Sequence, residues 1–186
     1  MLPLDVRETG IDFFAAGTYK WMLGGYGVAP FFVRADLIPR VQPDRAGSLN
    51  IAEELADFRF ELHADARKYL YATPAFSAVY QLGAALDYLL DVGVANVAEH
   101  TIGLARRLGA GLAAQGHQLL TPPGNGSAII TFEHAHDPAG IAGDLERAGI
   151  QVSVREKGTQ IRVGAALLNH ADDIDTLLAV TAGWRY

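Results

Sequence analysis

Two short apolar runs, Ile11–Ala16 and Val28–Arg34, bracket the segment Gly17–Gly27, in which four of eleven residues are glycine. Such runs read as strands, and glycines at this density let a backbone take positive φ or approach a ligand closely. Two neighbouring apolar strands are too few to make a sheet stable by itself. Strands from another chain or from an upstream portion must complete them, and an absent upstream half is the expectation.

The remainder of the chain has enough apolar residues to build a core. Half of the 186 residues are apolar and 19% are charged, which excludes a disordered tail. One helical turn is expected at Asp36–Arg40. From there to about Arg67 the text is irregular, with Pro39, Pro43 and Gly47, and a loop of that length is functional or packs on a partner. Phe76, Val79, Leu82, Leu86, Leu89 and Leu90 then fall at helical spacing, with Thr73 as N-cap, Pro74 at the first helical position and Gly93 at the end. A second helix is expected from about Asn96 to Gln115, closed by Gly116. The last third reads as strand Ala128–Phe132, helix Pro138–Ala148, strand Ile150–Val154, a turn at Glu156–Gly158, strand Gln160–Gly164 and a final helix capped by Asn169. This is the pattern of a small α+β layer.

Charge and residue usage remove several classes of function. The net charge is -6, so the chain lacks the basic excess that grips a phosphate backbone, and nucleic acid is not an expected partner. The absence of cysteine excludes disulfides, thiolate metal sites and a thiol nucleophile from these residues. Met1–Gly10 has no apolar signal-peptide region, and no run approaches the roughly 20 residues that span a bilayer. A cytoplasmic protein with no membrane partner is expected. His134 and His136 stand at strand spacing and could share a metal, though a solvated loop accounts for them better. Gly24-Gly25-Tyr26-Gly27 lacks the Gly-Lys-Ser/Thr of a phosphate-binding loop.

Lys20 is the residue with the most chemistry in it. It stands between Tyr19 and Trp21 in the glycine-flanked segment. An amine becomes nucleophilic when burial disfavours its ammonium form, and it then condenses with an aldehyde. Most lysines are simply solvated, so the residue type alone does not assign this role.

The order of motifs does more. Asp12-Phe13-Phe14-Ala15-Ala16-Gly17-Thr18-Tyr19-Lys20-Trp21-Met22-Leu23-Gly24-Gly25-Tyr26-Gly27-Val28 resembles the lysine segment of the class V aminotransferase family, which includes cysteine desulfurases, kynureninases and isopenicillin-epimerase-like proteins. Leu62–Tyr69 and Ala72-Thr73-Pro74 resemble the family's approach to a Gly-Thr-Pro motif, with Ala72 in place of the glycine. Gln160-Ile161-Arg162-Val163-Gly164, followed by Leu168-Asn169 and Asp172-Asp173-Ile174-Asp175, resembles its C-terminal signature.

This resemblance implies an α/β fold of the pyridoxal-phosphate transferase type (fold type I). The chain would be its C-terminal half: a partial large cofactor-binding domain with a linking helix over residues 1–95, then a small α+β domain over 96–186. The implied cofactor is pyridoxal 5'-phosphate. Lys20 would be the catalytic residue and form the Schiff base with it. Thr73 would reach the cofactor phosphate of the other subunit of a homodimer, although one hydroxyl at a helix start serves equally as a plain cap. Arg162 would bind the α-carboxylate of an amino-acid substrate, a match for the guanidinium fork. The aspartate, ring-stacking residue and phosphate turn that relatives carry upstream are not in this sequence, so the chain alone is expected to be a poor catalyst or inactive. Between Arg155 and Arg162, where desulfurases carry a sulfur-accepting cysteine, there is none. Transferase or lyase chemistry at Cα or Cβ remains: transamination, epimerisation or β-elimination. The alternative is a non-catalytic remnant or dimerisation module of the same fold.

Overall fold

The computed structural model describes residues 2–184, which fall into two compact units, 4–91 and 92–184 with the first residues of the chain. The first unit opens with the single-turn helix α1 (Val6–Thr9), whose N-terminal amides are taken up by the Asp5 carboxylate. Strands β1 (Phe13–Ala15) and β2 (Phe31–Val33) then pair antiparallel, Phe14 opposite Phe32, as a two-stranded sheet. The expected helical turn is present as a short 3-10 turn at Ala35–Leu37.

The stretch read as irregular contains a hairpin. Strand β3 (Ile51–Glu54) pairs with β4 (Phe60–Leu62), with a register shift between Ile51 and Glu53. The usual sequence signals are missing here. Glu53 faces Glu61 across the pair, so polar and apolar residues do not alternate, and the turn uses Asp57 and Phe58 at φ 61° and 58° where Asn-Gly would be the recognisable choice. Buried polar groups hold the flanks. The Asn50 side chain is fully buried, accepts from the Gly47 amide at 2.9 Å and donates to the carbonyls of Arg45 and Lys68 at 3.0 Å. Lys68 is itself buried and donates to the Ile38 carbonyl, while the Tyr69 hydroxyl donates to that of Val41 at 3.1 Å. Each of these bonds satisfies a group that burial would otherwise penalise.

Helix α2 (Phe76–Val92) starts two residues after Pro74, with the Ala75 carbonyl accepting from Val79. Thr73 therefore lies ahead of the helix and does not cap it. Proline favours extended backbone at the residue before it, which keeps Thr73 out of the helix. Gly93, at φ 87°, separates α2 from α3 (Val94–Ala114), and Gly116, at φ 88°, turns the chain away after α3.

The second unit builds one antiparallel sheet in the order β5-β6-β8-β7. Its strands are β5 (Gln118–Leu119), which is too short to announce itself in sequence, β6 (Ile129–Glu133), β7 (Ser153–Arg155) and β8 (Gln160–Gly164). Helices α4 (Pro138–Arg147) and α5 (Ala171–Thr181) complete it. Alternation decides which face is which. Ile130, Phe132, Ile161 and Val163 join Leu108 and Leu112 of α3, Ile141 of α4 and Ile174 of α5 in the core, while Thr131, Glu133, Gln160 and Arg162 take the opposite face. The residue that caps α5 is His170, whose amide donates to the Asp173 carboxylate at 3.0 Å. Asn169, expected as the cap, instead accepts from the Ala166 amide at 2.9 Å and donates to Asp173 at 3.0 Å, so it shapes the loop entering the helix.

Candidate active site

The β1–β2 connection presents Lys20 from a fixed base. Thr18 is fully buried, with its hydroxyl 2.8 Å from the Val28 carbonyl and 3.1 Å from that of Gly25. The Gly24 amide donates to the Thr18 carbonyl at 2.9 Å, and the Leu23 amide to that of Lys20 at 3.1 Å. The connection is thus folded back on itself around one threonine. Gly24 is closely packed: a Cβ there would come within 3.1–3.2 Å of Thr18 and of Leu82 on α2, so those side chains would have to give by a few tenths of an ångström. Leu23 sits at φ 56°, a conformation costing a non-glycine residue ~1–2 kcal/mol, and such strain collects at functional turns. Tyr19 and Tyr26 stack at 4.7 Å between ring centroids, and the Lys20 amine lies 5.4 Å from the Tyr19 centroid.

Lys20 itself is exposed in this unit, so the burial that makes an amine nucleophilic is not supplied by these strands alone. Two three-residue strands carry too little surface to enclose it. Sequence reasoning singles out the lysine and passes over Thr18, the residue that holds it. A threonine beside a glycine carries no motif, and only its burial reveals its work.

Thr73 is also exposed in this unit, and its hydroxyl makes no hydrogen bond among the described residues. Not being spent on the helix, it remains available to an acceptor from elsewhere. Arg162 belongs to the second unit, at the middle of β8, opposite Thr131 on one side and Ser153 on the other. Its guanidinium is exposed, donates to the Ser153 hydroxyl at 3.4 Å and enters no ion pair among the described residues. An arginine with its fork unpaired can take a carboxylate in two parallel bonds.

The histidine pair is not a solvated loop. His134 is buried, with no hydrogen-bond partner on either ring nitrogen among the described residues, and burial holds its pKa below the ordinary histidine value. His136 stacks on Trp184, whose indole N–H donates to Asp144 at 2.8 Å. Among the described residues no three ligating side chains gather around a metal-sized space. No described helix is long and apolar enough to cross a membrane.

Comparison with known proteins places the chain by family and by fold. The chain belongs to the class V aminotransferase family, whose model matches residues 1–177. An uncharacterised aminotransferase of Bacillus subtilis, YcbU, is 33% identical over 143 residues, covering 75% of this chain and 38% of its own length. An apo cysteine desulfurase from Thermococcus onnurineus superposes with a TM-score of 0.87 at 18% identity, covering 97% of this chain and 48% of that one. The cystine C-S lyase C-DES superposes at 0.82 with 21% identity, covering all of this chain and 50% of that one, and another of its structures holds glycine linked to its pyridoxal-phosphate cofactor. The chain spans less than half the length of its curated relatives. The fold is that of the C-terminal half of fold type I, a partial large domain followed by a small α+β domain, in a family of pyridoxal-phosphate enzymes.

Proposed function

We propose that this chain is the lysine-bearing half of a pyridoxal-phosphate enzyme that acts on an amino acid by transamination, epimerisation or β-elimination, including carbon–sulfur lysis. The observation that carries the reading is the presentation of Lys20, an exposed amine on a turn whose base is pinned by a fully buried threonine. The residues fit the cofactor in kind: Lys20 offers the attachment amine, and Thr73 an unspent hydroxyl for a phosphate oxygen of the partner subunit. When bound, the cofactor supplies a sink for the charge that develops at the substrate's Cα. Lys20, held beside that carbon, takes and returns its proton. Arg162 orients the α-carboxylate through its fork. In this reading residues 1–95 complete the large domain and 96–186 form the small one.

Sulfur transfer through a protein persulfide is outside the proposal. The link between β7 and β8 is only Glu156–Thr159 and carries no cysteine to accept sulfur. A cytoplasmic homodimer accompanies the reading, supported by apolar side chains that α2 leaves exposed in this unit, Phe76, Tyr80 and Leu90.

Titration with pyridoxal phosphate, followed by visible absorption, tests this. The expected result is a cofactor band that is absent in Lys20→Ala and altered by α-amino acids but not by amines without a carboxylate. Arg162→Gln should retain the band and lose the amino-acid response. A band indifferent to Lys20, or a response indifferent to Arg162, would contradict the reading.

A further inference from the structure

The connection from β5 to β6 carries the dipeptide Asn125-Gly126, and no other of the chain's four asparagines is followed by glycine. It opens on a turn closed by the Asn125 amide, which donates to the Pro122 carbonyl at 3.2 Å, with Gly124 inside it at φ 77°. Two side chains fasten this connection to β6. The Thr121 hydroxyl accepts from the Thr131 amide at 2.8 Å. The half-buried Asn125 carboxamide donates to the Ser127 hydroxyl at 3.0 Å and to the Ile129 carbonyl at 3.3 Å. The Ser127 hydroxyl accepts in turn from the Ile129 amide at 3.3 Å, so Asn125 and Ser127 together hold the first residue of the strand.

What sets Asn125 apart is the amide that follows it. The Gly126 amide makes no hydrogen bond among the described residues, the residue is exposed, and nothing stands within 4 Å of where a Cβ would be. A glycine in open space turns freely and brings its nitrogen to the Asn125 side chain without a clash. The other three asparagines lack this freedom. Asn50 is fully buried and precedes the β-branched Ile51 of β3. Asn96 lies in α3, where the next amide, that of Val97, donates to the Gly93 carbonyl at 3.1 Å. Asn169 is followed by His170, whose amide is taken by the Asp173 carboxylate.

An amide nitrogen placed against a carboxamide can displace ammonia from it, the reaction that makes asparagine a thermolabile residue. The Gly126 nitrogen gives its proton to hydroxide and attacks Cγ of Asn125. A new C–N bond forms, and the Cγ–Nδ2 bond breaks as ammonia leaves with a proton from water. One water then opens the five-membered imide at either carbonyl, leaving aspartate or, where the chain now runs through the side chain, isoaspartate. The sum is water in and ammonia out, with no oxidant and no cofactor. Either product is an ionised carboxylate at neutral pH and only accepts hydrogen bonds, so it cannot donate to the Ile129 carbonyl. The fastening of β6 is lost, and a negative charge stands against the oxygens that the carboxamide held.

We propose that Asn125 is a self-modification site, at which the chain converts its own asparagine through Gly126 and so loosens the entry of β6 with time.

The test keeps the full chain folded at neutral and at mildly alkaline pH, samples it over days and maps its peptides by mass spectrometry. The mass gained on exchanging NH2 for OH should appear at Asn125 and not at Asn50, Asn96 or Asn169. It should appear as two separable products, and faster at the higher pH, because the attacking nitrogen must first lose its proton. Gly126→Ala should slow the conversion several-fold by crowding the attack. Asn125→Asp, which supplies the carboxylate without any waiting, should speed hydrogen exchange at the Ile129 amide and lower the Tm. A folded chain that leaves Asn125 intact, conversion spread over the four asparagines, or a rate indifferent to Gly126→Ala overturns the site. Unchanged exchange at Ile129 in Asn125→Asp overturns the loosening.

Discussion

At the scale of single residues, burial separates what a side chain does from what its type suggests. Lys20 and Arg162 can be singled out in sequence because they lie in ordered motifs, yet their partners Thr18 and Ser153 carry no signal. Thr18 is visible only through its burial and its two carbonyl contacts. His134 is the opposite case, a residue whose neighbours suggest a solvated loop and whose ring is buried with no hydrogen-bond partner among the described residues. The reason is local: β6 ends at Glu133, but the His134 amide still bonds to the Thr159 carbonyl at 3.2 Å, which carries the ring inward beside Trp184. Because burial lowers the pKa of His134 in the folded chain, the unfolded chain binds the proton more readily. Its contribution is present above a pH of about 6.5 and is lost as the pH falls toward the depressed folded value, at up to ~1.4 kcal/mol per pH unit. Urea unfolding at pH 7.5 and 5.5 should show a larger loss for the native chain than for His134→Leu. Equal losses would contradict it.

Elements were legible where periodicity was strong. α2, α3, α4, α5, β6 and β8 follow from apolar spacing, and their ends shift by a few residues at most. The β3–β4 hairpin and the two-residue β5 were not legible, because one lacks alternation and a recognisable turn and the other lacks length. Thr73 and Asn169 have the chemistry of caps without the position, because capping residues also serve loops and the first helical residue decides between the two uses. Glycines give a sharp prediction at this scale. Gly103, inside α3, has no atom within 4 Å of where a Cβ would stand, so Gly103→Ala should stabilise by about 0.5–1 kcal/mol. Gly158→Ala should destabilise by at least ~1–2 kcal/mol, since it meets both a positive φ and Pro138. Thermal unfolding of the two variants should move in opposite directions, and a shift of the same sign in both would contradict the account of the β7–β8 turn.

For the molecule as a whole, the fold class was legible because three motifs of one family stand in their proper order, and the family match over residues 1–177 agrees with them. Exposure of Lys20 was not legible, since a sequence does not show how little surface two three-residue strands offer. The chain has only three lysines, Lys20, Lys68 and Lys157, and this makes the central claim directly measurable. Lys68 is buried, while Lys157 is exposed on a turn and reports ordinary surface reactivity. Adding stoichiometric pyridoxal phosphate, reducing with borohydride and mapping the modified peptides gives the ratio of label on Lys20 to label on Lys157. The account predicts label concentrated on Lys20 in the folded chain and evened out in urea; equal labelling of Lys20 and Lys157 in the folded chain would contradict it.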